Sequence, residues 1–437
     1  MRGTALNWLM TLRIDKPPFL VAVDVVAAVL ALYLVVRPTI RRTLAGLLAA
    51  AVGAGIGWLA TWLLIDVLDV FGVALTPVTR MWAVLAFAGI GLAVANLFRS
   101  RWWRKLVAVL SIPVFVVMAA AGINVDFGEY RDLNDALGVV PYPALSFHSE
   151  RGEVADIGTD YASTWTAPAS VPAKGAIGTV RIPATESGFA ARKAVVYLPP
   201  AALTPKPPVL PVLYAFSGQP GAPADVFTAG RIGQTMDAFA ATHHGIAPIV
   251  VAADQLGGPG RNPMCVDSAK FGNSATYLLK DVPSWIKAHF RVSSDPAAWS
   301  VFGYSQGATC AVQFLTGHPT IFGSALASSS ELGPTLGDRA STVQSGFGGS
   351  VTAFEDAQPA HLMTTHAPYE NSMLILGVGQ NDAKYTSFAR TLDADATQAG
   401  IRTRLLISPG TAHDWNTVRY TLRNGFPLIA AHLGLTQ

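Results

Sequence analysis

Charge is what this chain has least of. Only 14% of its 437 residues are Asp, Glu, Lys or Arg while 51% are hydrophobic, which excludes a disordered polymer held open by self-repulsion. The 31 Lys and Arg stand against 28 Asp and Glu, a net charge of +3 too small and too scattered for a nucleic-acid surface. Cysteine is nearly absent. Cys265 and Cys310 are the only two, and without histidines at ligand spacing they do not read as a metal site. No internal repeat and no dinucleotide fingerprint occur, and the GGPG patch at Gly257 lacks the strand, turn and helix around it that make a phosphate cradle. No cofactor is expected. The N-terminus also lacks the form of a cleavable signal: Arg2 is followed by a mixed segment through Asp15, Lys16, Pro17 and Pro18, and the first apolar run leads into more of the same.

What is abundant is hydrophobicity, and it is concentrated. Four apolar stretches, Phe19 to Val36, Leu44 to Ile65, Met81 to Phe98 and Leu106 to Ile123, are each long enough to cross a hydrocarbon core of roughly 30 Å as a helix. One such run could be a buried core helix, but four in succession with short charged links read as membrane spans. Arg37, Arg41 and Arg42 lie in the first link and Arg99, Arg101, Arg104 and Lys105 in the third, whereas Asp66, Asp69 and Arg80 lie in the second. The basic links are expected in the cytoplasm, which puts everything after Ile123 on the outer face of the membrane. Asp24, inside the first span, reads as a residue near its outer end able to reach headgroups, not as a transport path.

The grammar changes at Asn124. A connector over residues 124–175 follows the membrane region of residues 1–123, and residues 176–437 then alternate β-like and helical runs. Strands are predicted at VVYLPP from Val195, VLPVLYAF from Val209, PIVVAAD from Pro248, WSVFG from Trp299, GSALASS from Gly323, MLILGVG from Met373 and RTRLLISP from Arg402. Their unbroken apolar character suits a sheet covered on both faces. Helices are predicted over 226–240, 277–290, 306–316, 384–399 and 418–432, giving a three-layer α/β domain with a mostly parallel central sheet.

The sharpest chemical signal is GYSQGA from Gly303, a G-x-S-x-G turn placed directly after a predicted strand and before a predicted helix. Small residues at Gly303 and Gly307 let the chain turn tightly and expose the Ser305 hydroxyl, and the Gln306 N–H points into the site. A serine nucleophile needs a base and an orienting carboxylate, which follow it in the order acid, then histidine, in α/β-hydrolases. His413, in PGTAHDWNT after the last strand, is the base best placed by position; His318, at the start of the loop after the helix following Ser305, is a weaker candidate, and His361, His366 and His432 read as packing or surface residues. Asp382, just beyond MLILGVG, is the matching carboxylate, while Glu355, Asp356 and Asp414 read as solvated. The second oxyanion donor is expected in YAFSGQPGAP, at the Gln219 N–H, with Gly218 permitting close backbone approach. Cys265 and Cys310, both expected outside the cytoplasm, are predicted to form a disulfide that ties the loop after PIVVAAD to the helix following Ser305.

These segments resemble the putative-esterase family of α/β-hydrolases, especially membrane-anchored actinobacterial members related to the mycolyltransferases of mycobacteria and corynebacteria. The resemblance covers Ala176 to Leu435 and rests on GYSQGA, DQLGGPGRN at Asp254, GNSATYLLKDVPSWI, GVGQND and GTAHDW. GYSQGA is also similar to the cutinase elbow, but the multi-span N-terminus and the segment before Trp285 point away from a small secreted cutinase. The resemblance implies a Ser305, Asp382 and His413 triad with an oxyanion pocket at Gln306 and the 217–219 loop. It implies an ester hydrolase, or else an acyltransferase moving an acyl or mycolyl-like group between envelope glycolipids or glycans. The four spans and the GVGQND acid depart from the mycolyltransferases. An acyl ester or envelope glycolipid and the lipid bilayer are the expected partners, with no nucleic acid among them. A binding or sensory envelope protein that has kept the fold without turnover is the alternative of another class.

Overall fold

The structure is a computed structural model that describes residues 7–70, 72–145 and 165–436, so part of the expected connector lies outside the described residues. The chain separates into two compact units, Met1–Val140 with Gly410–Asn416, and Pro141–Pro409 with Thr417–Gln437.

In the first unit α1 (Pro17–Val35), α2 (Ile40–Thr61, continued by a π-helical turn over Trp62–Val67), α3 (Pro77–Leu97) and α4 (Trp102–Phe127) are all long and apolar enough to cross a membrane. They coincide with the four predicted stretches. Pro17 and Pro77 open their helices at a position where the missing N–H costs nothing, and the Thr76 hydroxyl caps the Thr79 N–H at 3.1 Å. Gly128, at φ 66°, ends α4 in the left-handed conformation. Large side chains such as Leu32, Leu48, Ile56 and Leu110 stay exposed, the reverse of a soluble bundle. Instead α2 and α3 approach through glycine: a β-carbon on Gly53 would overlap the Phe87 carbonyl, and one on Gly91 the Ala49 carbonyl. At the basic end, Arg104 donates to the carbonyls of Leu34 (3.1 Å) and Val36 (2.9 Å), and Asn96 also donates to Leu34 at 3.1 Å. These bonds satisfy the last carbonyls of α1 and set a cation on its negative dipole end.

The second unit is built on eight strands: β1 (Ala176–Val180), β2 (Ala194–Leu198), β3 (Val212–Phe216), β4 (Ile249–Ala252), β5 (Trp299–Tyr304), β6 (Ser324–Ser328), β7 (Met373–Gly379) and β8 (Arg402–Ser408). Their order is β1-β2-β4-β3-β5-β6-β7-β8. β1 pairs with β2 and β2 with β4 in antiparallel fashion, and every pair from β4 to β8 is parallel. Between strands run α5 (Ile232–Thr242), α6 (Val282–His289), α7 (Gln306–Gly317), α8 (Arg339–Gly346), α9 (Val351–Asp356), α10 (Pro359–His366) and α11 (Ala383–Gln398), and α12 (Trp415–His432) follows β8. This is the α/β-hydrolase pattern. All six residues of β5 are buried, with Gly303 in register between Phe216 of β3 and Ala327 of β6. Tyr214, Phe314 and Phe322 pack ring against ring beside it, Tyr214 edge-on to Phe322 at 5.2 Å. Seven of the eight strands are those read from the sequence, and β1 is the addition.

Candidate active site

The site grows from the end of β5, where the chain must leave the sheet and enter α7 within one residue. Ser305 makes that turn at φ 53° and ψ −120°, a left-handed conformation that costs a non-glycine residue about 1–3 kcal/mol. Its N–H is held by the Ser328 carbonyl of β6 at 2.9 Å. The turn closes only because both flanking positions lack side chains. A β-carbon on Gly303 would overlap the Gly307 carbonyl, and one on Gly307 would overlap the Ser217 carbonyl and Phe216. Gln306, the first residue of α7, offers its N–H at the positive end of the helix.

The predicted second loop lies against this turn. A β-carbon on Gly218 would stand 3.4 Å from the Ser305 β-carbon and 3.2 Å from the Tyr304 ring, so glycine here lets the backbone after β3 come up beside the serine. Both ends of that loop are fixed by the dipeptide following β4. Gln255 Nε2 donates to the Ser217 carbonyl at 2.7 Å, and Arg192, paired with Asp254 at 2.7 Å, donates to the Gly221 carbonyl at 2.9 Å.

Cys265 and Cys310 form a disulfide with α-carbons 5.7 Å apart, as expected from the sequence. It closes a loop of 45 residues, so the chain-entropy relation gives a stabilisation of about 4 kcal/mol. Reduction by dithiothreitol should therefore lower the melting temperature of the second unit by several degrees, whereas the same treatment of a Cys265→Ala, Cys310→Ala protein should leave its melting unchanged. Equal melting of reduced and oxidised wild-type protein would remove this account.

Asp382 follows β7 and is fully buried, with one carboxylate oxygen accepting the Tyr385 N–H at 3.3 Å at the start of α11. One strand, β6, separates β5 from β7, so the axes of the two strands that lead to Ser305 and Asp382 run about 10 Å apart at the usual strand spacing, and both residues follow the carboxyl end of a parallel strand. His413 lies five residues beyond Ser408, the last residue of β8, and is buried. Asp414 corrects the sequence reading: it is 2% exposed rather than solvated, and it accepts the Ala412 N–H at 2.7 Å. A short polar turn looked like surface, yet folds inward on its own carboxylate. Glu355 and Asp356 are exposed, Glu355 in an ion pair with Arg339 and Asp356 with an oxygen 3.5 Å from His361 Nε2. His366 contacts the Thr316 carbonyl at 2.8 Å, and burial pushes the His318 and His432 imidazoles below the usual histidine range.

Residues 190–416, which contain Ser305, Asp382, His413 and the 217–219 loop, match the family described as Putative esterase. An uncharacterized protein of Corynebacterium glutamicum is 36% identical over 373 residues, covering 82% of this chain and 84% of its own. The chain belongs to the putative-esterase family. Among solved structures it is similar to an S-formylglutathione hydrolase from Agrobacterium tumefaciens (18% identity, 60% of this chain and 97% of that one, TM-score 0.49). It is also similar to MPT51 of Mycobacterium tuberculosis (17% identity, 60% and 99%, TM-score 0.43). Family membership supports an enzyme of ester chemistry.

One group in this putative-esterase domain carried no sequence signal. Glu331 follows β6, where its N–H donates to Thr309 Oγ1 at 3.1 Å and its carboxyl accepts from that hydroxyl at 3.3 Å. Thr309 stands one turn into α7, its N–H bonded to the Ser305 carbonyl at 3.0 Å. Burial pushes the Glu331 carboxyl up to about 7, against the hydroxyl bond and nearby Lys384, which favour the ionised form. The folded value thus lies above the ordinary 4.5, so the native state holds the proton more tightly and wild-type stability falls as pH rises from about 4.5 to 7. Glu331→Gln should match wild type near pH 4 and exceed it by about 1–3 kcal/mol at pH 8. Melting curves at both pH values measure this, and a pH-independent difference would assign the effect to packing.

Proposed function

We propose that this protein is a serine-dependent carboxylic ester hydrolase acting on an acyl ester outside the cytoplasmic membrane, with Ser305, Asp382 and His413 as its triad. The observation that carries the reading is the Ser305 turn: a strained residue between a central parallel strand and a helix N-terminus, with Gly303 and Gly307 shaped to permit it. Backbone strain of this kind clusters at functional sites, and here it falls on the serine of the G-x-S-x-G turn. The order Ser305, Asp382, His413 along the chain follows the α/β-hydrolase sequence of roles, and Asp382 leaves the sheet two strands beyond the nucleophile.

In this reaction the His413 imidazole takes the Ser305 proton as Oγ attacks the ester carbonyl, and Asp382 stabilises the imidazolium. The Gln306 N–H and the backbone N–H of Gln219, beside Gly218, receive the developing oxyanion. Collapse expels the alcohol with the proton from His413 and leaves an acyl-serine. Water, deprotonated by His413, releases the acid and restores the serine. An envelope glycan or glycolipid hydroxyl in place of water would give acyl transfer by the same steps, and the catalytic groups favour neither acceptor. The outward placement is supported by the basic links around Arg37 and Arg101 and by the disulfide, which persists in an oxidising compartment.

The full-length protein in detergent, treated with a fluorophosphonate probe, should be labelled at Ser305. Absence of labelling in well-folded protein would leave a non-catalytic envelope binding protein. Presenting an acyl-ester donor with and without sugar or glycolipid acceptors, and identifying the acylated product by mass spectrometry, separates hydrolysis from transfer.

A further inference from the structure

We propose that Gln255 is a positioning residue for the oxyanion pocket, fixing the distance between the two backbone segments that supply its donors; this rests on the catalytic reading above. Gln255 is fully buried just beyond β4 and touches neither Ser305 nor any of the proposed donor nitrogens in the hydrogen bonds described. Its amide nitrogen has two hydrogens and two partners. One goes to the Ser217 carbonyl at 2.7 Å, the residue before Gly218; the other goes to Gln306 Oε1 at 3.2 Å, on the residue after the nucleophile. One planar amide therefore joins the oxyanion loop to the start of α7.

The direction of every bond in this chain is determined. Ser217 presents a backbone carbonyl, which can only accept, so Gln255 must face it with nitrogen. That nitrogen then requires the oxygen of Gln306, which turns Gln306 Nε2 toward Cys310 Sγ at 3.2 Å. No amide can be flipped without setting donor against donor or acceptor against acceptor. The backbone of Gln255 is itself secured, since Ser274 Oγ donates to its carbonyl at 3.0 Å. The neighbouring Asp254 holds the far end of the same loop through Arg192 and the Gly221 carbonyl.

Two oxyanion donors act together only when both sit about 2.7–3.1 Å from the position the oxygen takes in the transition state. The bond from Gln255 to Ser217 fixes the segment carrying one donor, and the bond to Gln306 fixes the segment carrying the other. Losing them would let the pocket widen without removing either N–H. The effect belongs to kcat, because the oxyanion forms only in the transition state.

The test uses the full-length protein in detergent with p-nitrophenyl acyl esters and the fluorophosphonate probe. Gln255→Met keeps the length and removes both donors, and Gln255→Glu keeps the shape while setting a carboxylate against two acceptors. For each we expect kcat to fall about 10–100-fold with KM within about threefold, and phosphonylation of Ser305 to slow by a similar factor. The deficit of Gln255→Glu relative to wild type should shrink as pH falls, because the protonated carboxyl can donate to Ser217. A variant that melts earlier but keeps kcat within about twofold, or whose loss lies wholly in KM, overturns the proposal. Should Gln255→Met not fold, the pH dependence of Gln255→Glu decides alone, a constant ratio to wild type counting against positioning. Failure of wild-type protein to label at Ser305 is a separate outcome, which removes the catalytic reading and this inference with it.

Discussion

Replacing Ser305 with alanine is expected to abolish fluorophosphonate labelling and to lower kcat by about 10⁴-fold or more, with residual turnover left by the oxyanion donors and substrate binding alone. His413→Ala should cost about as much, and the double variant little more than either single one, because the members of the proposed triad would act as a unit. Asp382→Asn should cost about 10³–10⁴-fold, since an amide at that buried position can no longer stabilise an imidazolium. Steady-state rates with a chromogenic ester measure all four. Retention of activity within about tenfold in Asp382→Asn would move the orienting role to another carboxylate. Glu331, at the end of the adjacent strand and bonded to the nucleophile's helix through Thr309, is the group to test next.

Gly307→Ala carries the second large effect. Its new β-carbon would meet the Ser217 carbonyl and the base of Phe216, which belong to a central strand and cannot swing aside as a side chain end could. We expect the second unit to lose about 1–3 kcal/mol by overpacking. Activity should fall about 100-fold or more, since α7 can relieve the overlap only by carrying Ser305 and Gln306 away from the 217–219 loop. Gly303→Ala meets the Gly307 carbonyl and should behave alike. Gly55→Ala provides the contrast, because nothing lies within 4 Å of its would-be β-carbon. Wild-type melting and rate in Gly307→Ala would show that the elbow has room to spare, and the close-packing account would be wrong.

Much of this was legible from residue order because the forces behind it are local. Continuous apolar runs announce both the four long helices and the strands β2 to β8, and a serine between Gly303 and Gly307 identifies the turn. The sequence reading failed where the local pattern is weak or the partner lies far along the chain. β1, AIGTV, is short, contains Gly178 and pairs at the sheet edge, so its alternation is weak. Helices α8 to α10, between β6 and β7, were not anticipated, because polar residues break their apolar spacing. Asp414 looked like solvent-facing turn chemistry until its own backbone folded onto it. Gln255 lay in plain view within DQLGGPGRN, but an amide declares its partners only once Ser217, 38 residues earlier, and Gln306, 51 residues later, have come to it.

The bonds from Arg104 to the end of α1 also set a level. They hold the first turn of α4 beside the last turn of α1, yet α1 has 19 residues and α4 has 26. At 1.5 Å per residue these are about 28 Å and about 39 Å, so with one pair of ends aligned the whole excess of about 10 Å emerges at the other. The last seven residues of α4, Ala121 to Phe127, include Asn124 and Asp126, the helix's only polar residues beyond Ser111. α1 matches a hydrocarbon thickness of about 30 Å almost residue for residue, and α4 turns polar at the height where that thickness ends. A thicker bilayer would have to draw Asn124 and Asp126 into lipid or tilt the bundle, so these two helices together gauge the thickness of membrane that the bundle could span without strain.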